Sequence, residues 1–288
     1  MKSRRKYRVG VHTSISGGIS KSIDRAVSLK CTTMQIFSHN PRQWKKYELG
    51  DDEVKQFKLF RKRYDIKPVF IHASYLINMA ARAALILGKS IDLLSYEMEM
   101  ADKLGAEYVV LHTGSASNDS ERIARKRAAK SIIKAIGKNR YRSSLILENT
   151  SGERGDIASS VKALAEIIDI CNCDNIAGIC IDTCHAFSAG YDITEKGGVD
   201  QLMSEIEKYA GLDKMKLLHL NDSKKPLGSG IDRHEHIGKG FIGLKGFKNL
   251  LCDSRLKNVP LILETPKKEE NDDKINLRKI RNILKNGK

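Results

Sequence analysis

The chain is expected to fold as one α/β domain, a (β/α)8 TIM barrel spanning residues 1–288 with a short basic N-terminal segment, 1–6. Three observations predict this. Short apolar runs with β character recur eight times, and a stretch with helical apolar spacing follows each of them. The composition, 41% hydrophobic with 5 prolines in 288 residues, suits a chain that buries one large core.

The runs fall at residues 7–12, 32–37, 67–72, 107–112, 144–149, 177–182, 215–220 and 260–265. Each is rich in Val, Ile, Leu or Phe and does not alternate cleanly with polar residues, which is the signature of strands buried on both faces of a parallel sheet. Helical spacing is clearest in Ile91, Leu94, Met98, Ala101 and Leu104. It recurs over 20–29, 51–64, 123–136, 161–168, 199–209, 244–251 and 275–284. An open, doubly wound sheet is the alternative, but no G-x-G-x-x-G follows the first run. The stretch Gly238-Lys239-Gly240-Phe241 lacks the spacing and the trailing Lys-Ser/Thr of a phosphate loop.

No run of eighteen apolar residues is present, so a membrane helix is not expected. The basic start (Lys2, Arg4, Arg5, Lys6, Arg8) is followed by no apolar stretch of the kind a secretory signal needs. Six cysteines in so long a chain read as reduced thiols, so the protein is expected in the cytoplasm and not secreted. The 51 Lys+Arg against 35 Asp+Glu give a net charge of +16. That excess points to a polyanionic partner such as nucleic acid, or to a solvated lysine-rich surface.

Barrel enzymes carry their chemistry at the C-terminal ends of the strands. Here the runs end in His12, in Phe37-Ser38-His39, and in His72, His112, Glu148-Asn149, Asp182, His219 and Glu264. Seven of the eight histidines (His12, His39, His72, His112, His185, His219, His234) fall at these ends or in the loops just after them, and none is expected on a helix. Imidazole with carboxylate and no thiolate suits zinc or manganese. Such a ligand-rich mouth could hold two or three ions around a shared carboxylate.

Nine segments, from Gly10-Val11-His12-Thr13-Ser14 to Leu263-Glu264-Thr265, carry a resemblance to a known family. Among the others are Asn40-Pro41-Arg42-Gln43-Trp44, His72-Ala73-Ser74-Tyr75-Leu76-Ile77-Asn78, Asp182-Thr183-Cys184-His185, His219-Leu220-Asn221-Asp222 and Asp232-Arg233-His234. Together they resemble the endonuclease IV family of apurinic/apyrimidinic (AP) endonucleases. The resemblance implies three Zn2+ ions per chain, with Mn2+ as an alternative at one site. One ion would be held by His72, His112 and Glu148, a second by Glu148, Asp182, His219 and Glu264, and a third by His185, Asp232 and His234. Glu148 would bridge, and Glu264 would orient the attacking water, making these two the catalytic carboxylates. Arg42, Tyr75 and Leu76 would enter the DNA minor groove beside a flipped abasic nucleotide. The substrate would be duplex DNA with abasic or damaged 3′ ends, incised 5′ to the lesion to leave a 3′-hydroxyl and a 5′-deoxyribose phosphate, by a monomer. His39 departs from the lysine common in the family, and Ser151-Gly152-Glu153-Arg154 departs from its shorter or uncharged counterparts. Two other readings share parts of the pattern: a divalent-metal sugar isomerase or epimerase on the same barrel, and a nucleic-acid binder without catalysis.

Overall fold

The barrel wall begins with β1 (Val9–Val11), β2 (Met34–Ile36), β3 (Val69–His72), β4 (Tyr108–His112), β5 (Ser144–Glu148), β6 (Ile176–Asp182) and β7 (Met215–His219). A short antiparallel ribbon, β8 (Asp222–Ser223) with β9 (His234–Glu235), then leaves the wall before its eighth strand, β10 (Leu261–Leu263). In this computed structural model, which describes residues 7–116 and 118–286, the wall strands are all parallel in the order β1-β10-β7-β6-β5-β4-β3-β2. The ring closes where His12 bridges Gln35, with Thr13 N donating to Gln35 O at 2.8 Å. A Cβ at Gly10 would stand 1.9 Å from Thr33 O, so glycine is what lets β1 and β2 approach at this seam. The basic segment 1–6 lies outside the described residues.

Outside the wall stand α1 (Lys21–Ser28), α2 (Asp51–Arg63), α3 (Ala84–Leu104), α4 (Glu121–Ile136), α5 (Val161–Cys171), α7 (Lys196–Glu205), α8 (Gly243–Leu251) and α9 (Asp272–Asn286). The extra helix α6 (Thr183–Ser188) is a short turn at the mouth. It corrects the expectation that no histidine lies on a helix, because His185 sits within it. Asp182 starts this helix by accepting the His185 N–H at 2.9 Å, so the strand-ending acid and the histidine three residues later meet through an N-cap. Helix α3 begins at Ala84, ahead of the amphipathic spacing that starts at Ile91. Its first turns expose Leu85 and Ile86 and contain Gly88, which hides them from a periodicity argument. Helix α7 stops at Glu205 and continues as a π-turn over Ile206–Ala210, where a single helix to residue 209 was expected.

The pleat separates two packing systems. Val69, Ile71, Val109, Leu111, Leu145, Leu147, Ile179 and Ile181 face the helices in the main core. Phe70, Val110, Ile146, Cys180, Leu217 and Ile262 face inward and pack on one another along the axis. Two residues beyond each member of this inner set, on the same strand face, stand His72, His112, Glu148, Asp182, His219 and Glu264.

Candidate metal centre

Glu148 lies at the middle of the mouth with no exposed surface. Its Oε2 is 3.4 Å from His72 Nε2 and 3.3 Å from His112 Nε2. Its Oε1 faces the other way, 2.9 Å from His219 Nδ1 and 3.5 Å from His185 Nδ1. Glu264 Oε2 stands 3.4 Å from the same His219 nitrogen, and Asp182 Oδ2 3.9 Å from it. A third group forms around Asp232, whose carboxylate oxygens lie 3.2 Å from His185 Nε2 and 3.1 Å from His234 Nε2. The structure thus gathers the nine residues into three groups: His72–His112–Glu148, Glu148–Asp182–His219–Glu264 and His185–Asp232–His234. Donor atoms within each group lie within 4.8 Å of one another.

Three features test whether these residues suit metal ions. Two ligands on one tetrahedral ion with bonds of about 2.0–2.1 Å stand roughly 3.3 Å apart, close to the imidazole–carboxylate separations just given. Glu148 Oε2 and His234 Nε2 are buried, and although imidazole or carboxylate atoms stand 3.1–3.4 Å from them, neither makes a well-directed hydrogen bond among the described residues, a costly arrangement for polar atoms unless something else binds them. Most telling are the outer nitrogens of the rings. His72 Nδ1 donates to Ala73 O at 2.7 Å, His185 Nδ1 to Asn149 O at 2.9 Å, and His234 Nδ1 to Glu264 O at 3.2 Å. His219 Nε2 donates to Gln35 Oε1 at 2.9 Å. Each of these bonds turns the ring's other nitrogen toward a carboxylate of the cluster, the orientation that ligating histidines require.

The charges fit the same reading. Burial would lower His72 and His234, but the surrounding carboxylates carry both up to about 9. His185 and His219 are likewise raised against burial by Asp182 and Glu264 respectively. His112, buried beside other imidazoles, falls to about 4. Burial would raise Glu148, Glu264 and Asp232, yet the imidazoles hold all three below the usual carboxylate range. The raised imidazoles and lowered carboxylates offset one another across the groups, and any ion bound there at neutral pH would have to displace ring protons. Two cysteines come near the groups, Cys180 beside Glu148 and His219, and Cys184 beside Asp182 and His234. Burial pushes Cys184 up to about 12 and Cys180 well above its ordinary value, so both behave as apolar filler.

The mouth is a cavity of about 1030 Å³, lined among others by Arg42, Tyr75, His112, Arg233 and Lys267. Tyr75 is 64% exposed, with its ring edge-on to Phe37 at 5.2 Å. Arg42 is exposed on the loop after β2. Leu76, the residue after Tyr75, is half-buried and does not line this cavity. His39 is buried against Tyr96 and Glu97, and His236 pairs with Asn276 at 3.0 Å away from the groups. Trp44 is half-buried against the main core, with Lys89 Nζ over its ring at 5.6 Å.

Gln35 escaped the sequence reading. It donates to Glu264 Oε1 at 2.5 Å, lies 3.0 Å from His12 Nδ1, and accepts from His219. Its signal was present all the same, as the one polar residue inside the buried run Met34-Gln35-Ile36. Asn149 and Asn221 also organise Asp182: Asn149 Oδ1 accepts the Asp182 N–H at 2.6 Å, and Asn221 Nδ2 donates to Asp182 Oδ2 at 2.5 Å.

Residues 23–285 match the family described as Xylose isomerase-like TIM barrel. The chain is 40% identical over 270 residues to a protein named "Probable endonuclease 4" from Halothermothrix orenii, covering 94% of this chain and 97% of that one. It is also 40% identical over 279 residues to the Aquifex aeolicus protein of the same name, covering 96% and 98%. Among solved structures, endonuclease IV from Thermus thermophilus superposes with a TM-score of 0.86 at 36% identity, covering 96% of this chain and 99% of that one. With full-length matches of this strength, and with the imidazole–carboxylate groups at the barrel mouth, the chain belongs to the endonuclease IV family.

Proposed function

We propose that this protein is a metal-dependent DNA-repair endonuclease that hydrolyses the phosphodiester 5′ to an abasic site in duplex DNA, leaving a 3′-hydroxyl and a 5′-deoxyribose phosphate. It also clears blocked 3′ ends by the same hydrolysis. The observation that carries this reading is the convergence of three imidazole–carboxylate groups on one open mouth in a chain of net charge +16. His72, His112 and Glu148 would hold one ion, Glu148, Asp182, His219 and Glu264 a second, and His185, Asp232 and His234 a third. When bound, Zn2+ (or Mn2+ at one position) supplies Lewis-acid stabilisation of phosphoryl oxygens and lowers the pKa of water to about 7.

The chain's own groups do the rest. Glu264, held by Gln35 and His12, presents its second oxygen to the cluster and orients the attacking water. Four carboxylates against three divalent ions leave the mouth net positive, which favours an anionic diester and the charge that develops on it. Tyr75 and Arg42 occupy the rim, where an aromatic ring and a guanidinium can fill the gap left by an extruded abasic sugar. All nine ligands come from one chain, so a monomer suffices. A sugar isomerase would have no use for the third group or for the basic excess.

The test is a short duplex carrying one abasic site, incubated with metal-loaded protein with and without chelator, with both product ends mapped. Incision 5′ to the lesion with a 3′-hydroxyl, lost on chelation and restored by zinc, is expected. A fully loaded protein that leaves this duplex intact but converts a ketose to its epimer would overturn the reading.

A further inference from the structure

We infer that Asp222 is the positioning residue for the third ligand group, holding the excursion that carries Asp232 and His234. The inference rests on the metal reading above for its purpose, but its evidence is separate from the ligands. Asp222 has no exposed surface, and its carboxylate is enclosed by five backbone N–H groups. Oδ1 accepts from Ser223 at 2.9 Å, Ile242 at 3.0 Å and Gly243 at 3.3 Å, while Oδ2 accepts from Gly238 at 2.8 Å and Gly240 at 3.1 Å. Amides converging in this way form a nest for an anion, and charge-assisted bonds of this type are roughly twice as strong as neutral ones. The glycine-rich stretch that superficially suggested a phosphate loop is therefore an anion cradle already filled by the chain itself. Its glycines are required: a Cβ at Gly240 would stand 2.3 Å from Ser223 O and 2.6 Å from Asp222 Oδ1.

The same residue is tied by its backbone to the ligands. In the β8–β9 ribbon Asp222 pairs with Glu235 and Ser223 with His234, and Lys224 N donates to Arg233 O at 2.9 Å. The side chain gathers residues 238–243 beneath the excursion while the main chain sets the register of 233–235. The main chain of Asp232 itself is held by exposed bonds, its N–H donating to Glu153 Oε1 at 3.3 Å and its carbonyl accepting from Arg233 Nη1 at 2.6 Å. The register of the ribbon is therefore what fixes where the Asp232 carboxylate meets His185.

Two variants test this. Asp222→Asn replaces an acceptor oxygen with an NH2 that faces amide donors, and Gly240→Ala pushes on the nest from its other side. In the full-length protein equilibrated with zinc, wild type is expected to hold three ions. Each variant should hold two, recovering the third only at more than tenfold higher free zinc. In chelated protein, amide exchange over 230–243 should quicken at least tenfold in the variants while β3 to β6 keep their wild-type protection. Three ions at wild-type affinity with unchanged exchange over 230–243 would overturn the inference. So would loosening spread evenly over the barrel, the mark of a general stability role. A wild-type chain that binds no third ion refutes the metal reading instead, and the exchange comparison then decides the role of Asp222 alone.

Discussion

Two layers inside the same barrel, one pleat apart, have opposite compositions. The lower layer is Phe70, Val110, Ile146, Cys180, Leu217 and Ile262. Two residues further along each strand, roughly 6.6 Å at the usual rise, stand His72, His112, Glu148, Asp182, His219 and Glu264. Strand order and twist are shared by the two layers, so they cannot account for the difference. The lower layer joins the strands by excluding water, and nothing in it titrates near neutral pH. The upper layer concentrates charges whose pKa values move in opposite directions, which an apolar floor makes possible by keeping the local dielectric low. Six strands thus each contribute one residue to the apolar floor and one to the polar mouth, and the two contributions should be separable by substitution.

The sharpest break is expected from Glu148→Gln. It removes a charge that faces four imidazoles, so bound zinc should fall and incision should drop by more than roughly 10³-fold, beyond the 10–100-fold typical of an outer supporting residue. Metal analysis and single-turnover cleavage measure both. Glu264→Gln keeps size and the contact with Gln35, so it should retain binding to abasic duplex while losing most turnover, by about 10²-fold or more. Unchanged turnover would sink its assigned role. One pleat below, Ile146→Ala should do the reverse. Deleting a fully buried side chain costs about 2–5 kcal/mol, seen as a lower denaturation midpoint, yet zinc stoichiometry should stay at the wild-type value. If Ile146→Ala lost metal as readily as Glu148→Gln, the two layers would not be independent.

The lower layer and the helix faces follow from periodicity, which is why all eight strands are legible in the sequence. The polar layer is legible because His, Glu or Asp at the end of nearly every apolar run is improbable in a core. What sequence spacing does not carry are contacts between strands distant in the chain. Gln35 reaches His219 and Glu264, 184 and 229 residues away, and no local pattern marks that meeting. Helix α6 is invisible for a different reason: a six-residue helix offers no repeat, only the N-cap bond from His185 to Asp182. Asp222 ends the segment His219-Leu220-Asn221-Asp222, but its role depends on five amides converging from residues 223 to 243, which only the folded loop brings together.

The smallest expected effect contrasts two glutamates of equal burial. Glu148 and Glu97 both have no exposed surface, but imidazoles hold Glu148 below the ordinary range, whereas burial lifts Glu97 to about 8 despite the Ser74 N–H it accepts at 3.0 Å. His39, 3.8 Å away, is itself lowered by burial, which weakens any compensating charge it could offer. Between about pH 4.5 and pH 8 the folded chain therefore keeps a proton on Glu97 that the unfolded chain releases. The stability this gives is complete below the lower value and is lost as pH rises through the upper one. Glu97→Gln retains an oxygen for Ser74 and cannot ionise. Compared in chelator, so that the metal groups behave alike in both proteins, the variant should match wild type near pH 5. By pH 9 it should gain about 3 °C in melting temperature, the shift that roughly 1 kcal/mol produces in a domain of this size. A melting difference that stays constant across that span would mean Glu97 is ionised in the fold, and burial alone would then not separate the two carboxylates.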